Sequence, residues 1–334
     1  MAVGDEFGLI AKHFAPLAQA MPGAFALTND AAVIPPDEQR GLVATIDTLV
    51  EGVHYLPDDP AELVARKLLR VNLSDLAAMG AEPESYLLTL ALDKARDEAW
   101  VARFASGLAA DQQEFGIAML GGDTVSTPGP MTLSLAAFGR VPNARALQRG
   151  TARPGDLVYV TGTIGDGALG LLVRQGRLSG LPERERGFLE SRYRLPVPRT
   201  AVGPRLLSLA TACLDVSDGL VGDLGHIAEA SAVAIELNSA EVPLSDAAKL
   251  VLSDDPDLLA LVLTGGDDYE LAFTAPPEQA EAIAALSRET EVPIVCIGRA
   301  RADSGAEPEN RAGVVVRDRW GAPLDLPVKG WTHF

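Results

Sequence analysis

The stretch PNARALQRGTARPGD, Pro142–Asp156, is dense in proline, glycine and short polar residues, and it separates two series of alternating helical and strand-like runs. A chain that restarts the same alternation after a turn-rich break is expected to build two mixed α/β bodies. We therefore expect an amino-terminal domain over 1–148 and a carboxyl-terminal α/β domain over 149–334. The length of 334 residues supplies a core for each.

Apolar residues recur at helical spacing in EFGLIAKHFAPLA, PAELVARKLLRVNLSDLAAMG and AWVARFASGLAADQQEFG. The runs LVATI, SYLLTLAL, IAML and MTLSLAAFGRV between and after them read as strands. After the break, LVYVTG opens a second series. It continues with a helix from about Asp166, a strand ending near Asp215, a further helix, the strand YELAFT and the helix PEQAEAIAALS. Ser74-Asp75 inside a first-half helix and Ser217-Asp218 at a second-half helix start form a weak echo that hints at a duplicated unit.

Aspartates collect where apolar strands end. They are Asp30 in TNDAAV, Asp47 in ATIDTLVEGVHY, Asp75 in NLSDLAAMG, Asp123 in LGGDTVS, Asp215 and Asp218 in LDVSDGL, and Asp267 and Asp268 in LTGGDDYEL. Any one of them has a simple role as a helix cap or turn residue. As a set they would repel one another in a shared cleft unless cations were present. Oxygen donors without Cys or paired His select hard ions, Mg²⁺ first and Mn²⁺ or Ca²⁺ next.

The formal net charge of −18 repels nucleic-acid phosphates and anionic membranes, so neither is expected as a partner. Phosphate ligands remain accessible through metal ions. Only Cys213 and Cys296 occur, both in apolar runs, which argues against a disulfide framework or a zinc site. The first twenty residues lack a signal-peptide pattern and no apolar run is long enough to span a bilayer, so a cytoplasmic protein is expected. The chain has neither a G-x-x-x-x-G-K-[ST] loop nor the H-R-D and D-F-G set. TGTIGDG has the wrong spacing for a dinucleotide fingerprint. Clustered acids with few lysines suggest a phosphate site in which metals neutralise the charge.

In order along nearly the whole chain, TNDAAV, TIDTLVEGVHY, NLSDLAAMGAEP, GGDT, RPGDLVYVTG, LDVSDGL, GGDDYEL and KGWTHF resemble the thiamine-monophosphate kinases. The resemblance implies a two-domain α/β (α+β) fold of the aminoimidazole-ribonucleotide-synthetase type and a homodimer whose amino-terminal strands form a β-barrel. It also implies transfer of the ATP γ-phosphoryl group to thiamine monophosphate. Carried over residue by residue, it makes Asp30, Thr45, Ile46 (through its main-chain carbonyl), Asp47, Asp75, Asp123, Asp215 and Asp218 the Mg²⁺ ligands. Gly122, Asp123, Arg149 and Ser217 become ATP contacts, and His54, Asp267 and Trp331 substrate contacts.

Three positions depart from the family's usual pattern: Asn29 stands where an acid is common, Ile46 where a hydroxyl residue is common, and Asp267 where Glu is frequent. These bear on metal number and substrate affinity.

The chemistry needs no protein nucleophile. The second pKa of a phosphate monoester is about 6, so the acceptor oxygen is largely ionised at neutral pH without a general base. A single in-line displacement with inversion at phosphorus is expected. Two other readings stay open, a purine-pathway synthetase of the same fold and a non-catalytic Mg²⁺- or Ca²⁺-binding protein.

Overall fold

The computed structural model describes residues 6–28, 31–143, 145–303, 313–326 and 330. The chain divides into two compact units, one formed by 1–76 with 81–145 and the other by 77–80 with 146–334.

The first unit begins with the short helix α1 (Glu6–Leu9), followed by a π-helical turn at Ile10–Phe14 and 3₁₀ turns at Ala15–Ala18 and Pro22–Leu27. Helical spacing in EFGLIAKHFAPLA suggests one α-helix; the ladder instead widens to π at Ile10–Phe14, and around Pro16, which has no N–H to continue it, the segment tightens to 3₁₀. Strand β1 (Arg40–Val50), helix α2 (Ala61–Ala78), β2 (Glu82–Asp93), α3 (Glu98–Phe115), β3 (Ala118–Thr127) and β4 (Thr132–Pro142) follow. They form a four-stranded sheet in the order β1-β4-β2-β3, antiparallel except for the β2–β3 pair.

One face of this sheet is covered by helices. Leu133 and Leu135 of β4 and Leu88 and Leu90 of β2 are buried on it, and the Tyr86 hydroxyl accepts from Gln112 of α3 at 3.2 Å. Arg70 of α2 reaches the buried Asp111 carboxylate of α3 with Nε at 2.8 Å and Nη2 at 3.0 Å, and Arg66 adds a bond at 2.7 Å. A buried carboxylate so paired fixes α2 against α3. Among the described residues the other face is left open: Leu42 and Ile46 of β1, Leu87 of β2 and Val125 of β3 are exposed.

The second unit contains β5 (Leu157–Thr161), α4 (Asp166–Arg174), α5 (Glu183–Arg194), α6 (Gly203–Leu206), β6 (Ala212–Val216), α7 (Leu220–Ser231), β7 (Val233–Asn238), α8 (Asp246–Asp254), α9 (Leu259–Thr264), β8 (Glu270–Ala275), α10 (Ala280–Thr290), β9 (Ile294–Ala302) and β10 (Gly313–Arg317). Its six-stranded sheet runs β10-β7-β9-β5-β8-β6. Val158, Val160, Leu214, Val216, Leu224, Ile227, Ile235 and Ala272 are buried in its largest core cluster. The Ser-Asp echo does not extend to topology. Ser74-Asp75 lies well inside α2, Ser217-Asp218 stands between β6 and α7, and the sheets differ in strand number and order.

Candidate active site

In the first unit, Thr45 and Asp75 meet. The Thr45 hydroxyl on β1 donates to Asp75 Oδ2 on α2. Strand alternation puts Asp47 on the same helix-covered face as Thr45, opposite the buried Leu135, and turns the Ile46 side chain to the open face beside Ala136. Only the Ile46 carbonyl is then available as a donor. Asp123 stands on β3, in register with Thr89, at the far edge of the sheet. Three strand spacings place it about 14 Å from β1. Among the described residues, no three His, Cys, Asp or Glu side chains stand at metal-holding spacing. Asp30 and Trp331 lie outside the described residues.

His54 sits half-buried in the turn that follows β1. Its Nδ1 accepts from the Val50 N–H at 3.0 Å, which leaves the proton of a neutral ring on Nε2. Beneath the turn, Lys67 of α2, almost wholly buried, donates to the His54 carbonyl at 3.0 Å. Sequence reasoning passed over Lys67 because α2 is buried on nearly every side, and helical spacing alone does not separate a stem that packs from a head that binds.

A pocket of about 470 Å³ opens between the amino-terminal turns and strands β2 and β3. Ile10, Phe14, Leu27, Ile34 and Met119 make it apolar, with Gly122 and Asp123 in its lining. Gly122 is required there: a Cβ would meet the Leu88 carbonyl oxygen at 2.0 Å. Phe25, Ala26 and Leu27 all have left-handed φ values, 50°, 53° and 59°, in the turn that supplies Leu27. Non-glycine residues hold that geometry only where the surroundings impose it.

In the second unit, Asp215 is buried on β6, the edge strand of the sheet, and Ser217 and Asp218 follow at the strand-to-helix turn. Asp223, in the first turn of α7, accepts from the N–H groups of Asp218 at 3.0 Å and Gly219 at 3.1 Å. Burial pushes the Asp223 carboxyl up to about 7, and Arg149 is near enough to oppose that shift. Arg149 is exposed on a loop tied to α7 by the Ser231 hydroxyl, which donates to the Arg149 carbonyl at 3.0 Å. Arg149, Asp218 and the supporting Asp223 are thus brought together. Asp223 was legible in principle, since an acid four residues after Gly219 suits the open N–H groups of a helix start.

Asp267 lies in the loop between α9 and β8 with a left-handed φ of 74°. The loop is pinned to β6 and its turn: the Asp267 N–H donates to the Ser217 carbonyl at 2.9 Å and the Tyr269 N–H to the Val216 carbonyl at 2.7 Å. Asp267 therefore stands beside the Ser217-Asp218 turn.

The model of AIR synthase related protein, N-terminal domain, matches residues 28–141, and that of AIR synthase related protein, C-terminal domain, matches 153–309. Thiamine-monophosphate kinase of Salmonella typhimurium is 42% identical over 336 aligned positions, covering 100% of this chain and 99% of that protein. The chain belongs to the thiamine-monophosphate kinases. Among solved structures, the family member from Stenotrophomonas maltophilia aligns with a TM-score of 0.80 at 39% identity, covering 89% of this chain and 91% of that one. AaThiL complexed with AMPPCP and TMP aligns with a TM-score of 0.77 at 29% identity, covering 98% of this chain and 97% of that one. The two-domain AIR-synthase-type fold expected from the motifs is the fold observed.

Proposed function

We propose that this chain transfers the γ-phosphoryl group of ATP to thiamine monophosphate, giving thiamine diphosphate and ADP. The observation that carries the proposal is family membership along the whole chain, with a relative seen in complex with an ATP analogue and TMP. The apolar pocket beside β3 suits the adenine of ATP, with Gly122 and Asp123 toward the phosphates. Arg149 and Ser217 are the second unit's contacts to the nucleotide. His54, Asp267 and Trp331 are assigned to the thiamine phosphate, and indole suits stacking on its pyrimidine and cationic thiazolium.

The metal ligands are assigned as Asp30, Thr45, Asp47, Asp75, Asp123, Asp215, Asp218 and the Ile46 carbonyl. The donor chemistry fits: all are oxygens, while Cys213, two residues before Asp215 on β6, is buried in the core and Cys296 is exposed on β9. Mg²⁺ held by these residues would supply neutralisation of the phosphate charge. The protein's own contribution is placement. Asp223 holds the Asp218–Gly219 turn, Lys67 holds the His54 turn, and Arg149 supplies a fixed cation. The ionised acceptor attacks directly, so chiral γ-phosphoryl ATP should give inversion; retention would sink the one-step reading.

The functional assay is ADP release from ATP with thiamine monophosphate or formylglycinamidine ribonucleotide as acceptor. Turnover with the first alone supports the proposal, turnover with the second favours a synthetase, and none with either favours a binding protein. Arg149→Ala should raise the Kd for ATP about tenfold while moving that for thiamine monophosphate less than twofold, as loss of one charge-assisted phosphate contact predicts. Equal losses would point to a collapsed loop.

The assembly we propose is a homodimer in which a second copy covers the open sheet face and closes the β1 and β3 edges into a barrel. The described residues contain no helix long and apolar enough to cross a membrane, and we place the enzyme in the cytoplasm.

A further inference from the structure

A buried ionic cluster under the loop that carries Asp267 has no part in the chemistry described above. Glu270, the first residue of β8, is wholly buried. Its Oε2 accepts from the Thr161 hydroxyl at 2.7 Å and from Arg199 Nε at 2.5 Å, and its Oε1 accepts from Arg192 Nη2 at 2.9 Å and from Arg199 Nη2. Two guanidinium groups thus hold one carboxylate, Arg199 through a two-pronged contact that leaves little rotational freedom.

The same cluster reaches the loop itself. Arg192 Nη2 lies 3.3 Å from the Asp268 carbonyl oxygen, and the buried Asp268 carboxylate accepts from the N–H groups of Gly165 at 2.7 Å and Gly167 at 3.0 Å. On either side of Asp268 the backbone is left-handed, with φ of 74° at Asp267 and 52° at Tyr269. Such a conformation crowds Cβ against the backbone and persists only when neighbours over-determine it. Neighbours leave no slack: a Cβ on Gly167 would meet the Asp267 carbonyl oxygen at 2.3 Å, and one on Gly162 would meet Glu270 Oε1 at 2.1 Å.

A cluster that served only to fill the core would be expensive, since several charged groups are desolvated where apolar packing would do as well. Its placement beneath two strained residues gives it a purpose. We infer that Glu270, held by Arg192 and Arg199, is a positioning residue that keeps the 265–269 loop in its left-handed form and thereby aims Asp267 at the thiamine phosphate. The substrate part of this inference rests on the function proposed above; the loop-holding part does not.

The test uses the full-length protein with Arg199→Lys, which keeps a cation but loses the two-pronged contact, and Glu270→Gln as the harsher variant. Hydrogen exchange read on the 264–270 segment should quicken at least tenfold in Arg199→Lys while the β6 and β8 core amides stay protected. In steady state, KM for thiamine monophosphate should rise about tenfold with KM for ATP within twofold, as a misdirected charged contact predicts. Arg192→Lys should fall between this variant and the unsubstituted chain. Unchanged exchange in Arg199→Lys would overturn the positioning role. Faster exchange with both KM values raised equally would reduce the cluster to a structural one, and faster exchange with neither moved would detach Asp267 from the substrate. If the unsubstituted chain does not turn over thiamine monophosphate, the proposed function fails, and exchange alone still decides whether Glu270 holds the loop. Should Glu270→Gln not fold, the two lysine variants carry the test.

Discussion

Asp47→Asn and Asp123→Asn are each expected to lower kcat/KM for thiamine monophosphate phosphorylation more than about a hundredfold, because an amide keeps the carboxylate's shape and loses the charge that binds a hard cation. The two aspartates sit at opposite edges of the four-stranded sheet, one on its helix-covered side and one exposed on β3. A general fault in the sheet would not explain parallel losses at both. The fold should survive. Asp123 is exposed and Asp47 is only half-buried, so exchanging either carboxylate for an amide of the same shape removes no core packing, and the metal-free variants should melt close to the unsubstituted chain. The measurements are steady-state rates across a Mg²⁺ titration, calorimetric Mg²⁺ binding and a thermal melt. Near-normal activity of both variants at ordinary Mg²⁺ refutes the ligand assignment. A melting point several degrees lower assigns the loss to folding.

Local order was the part of this protein open to sequence reading. PAELVARKLLRVNLSDLAAMG carries its apolar residues at helical spacing, and α2 occupies Ala61–Ala78 within it. LVATI lies within β1, LDVSDGL spans the end of β6 and the turn into α7, and GGDDYEL is the loop leading from α9 into β8, whereas GGDT, read from sequence as a strand end, lies inside β3, which runs on to Thr127. The reason is physical. Capping, turn formation and β alternation act over a few residues, so a few residues reveal them. Long-range pairings are different. Glu270 meets Arg192 and Arg199 across more than seventy residues, and each looks like an ordinary charged residue until the sheet order brings β8 beside β5. Likewise, nothing in ELVARKLL distinguishes Lys67, buried against the His54 carbonyl, from Arg66, which reaches Asp111 and Glu114 at the α3 surface. In the amino-terminal segment the spacing misled, because an amphipathic stripe only a few turns long does not fix one ladder: the helix widens to π at Ile10 and tightens to 3₁₀ around Pro16.

Ala136→Glu is expected to turn the proposed dimer into a folded monomer. Ala136 lies on the inner strand β4, in register with Ile46 of β1 on one side and Leu87 of β2 on the other, so it stands near the middle of the open apolar face. Ile46 is 67% exposed, Val125 47% and Leu42 46% in the single chain, a density of large apolar side chains on one sheet face that a lone soluble domain seldom carries. In the isolated chain a glutamate there points into water and costs little. In a two-fold assembly the substitution occurs twice, and each carboxylate must be buried against apolar side chains without a cation to meet it. At about 1.4 kcal/mol per tenfold, a cost of more than about 4 kcal/mol raises the dissociation constant over a thousandfold. Light scattering across a dilution series reads the result directly, and Leu42→Glu serves as a second probe on β1, its side chain on the sheet face opposite those of Thr45 and Asp47. A dimer that persists unchanged in both variants would move the interface to another face, and a monomeric unsubstituted chain would remove it. Monomeric variants that keep their melting behaviour would mean that each copy folds independently and that the sheet face is held open for its partner.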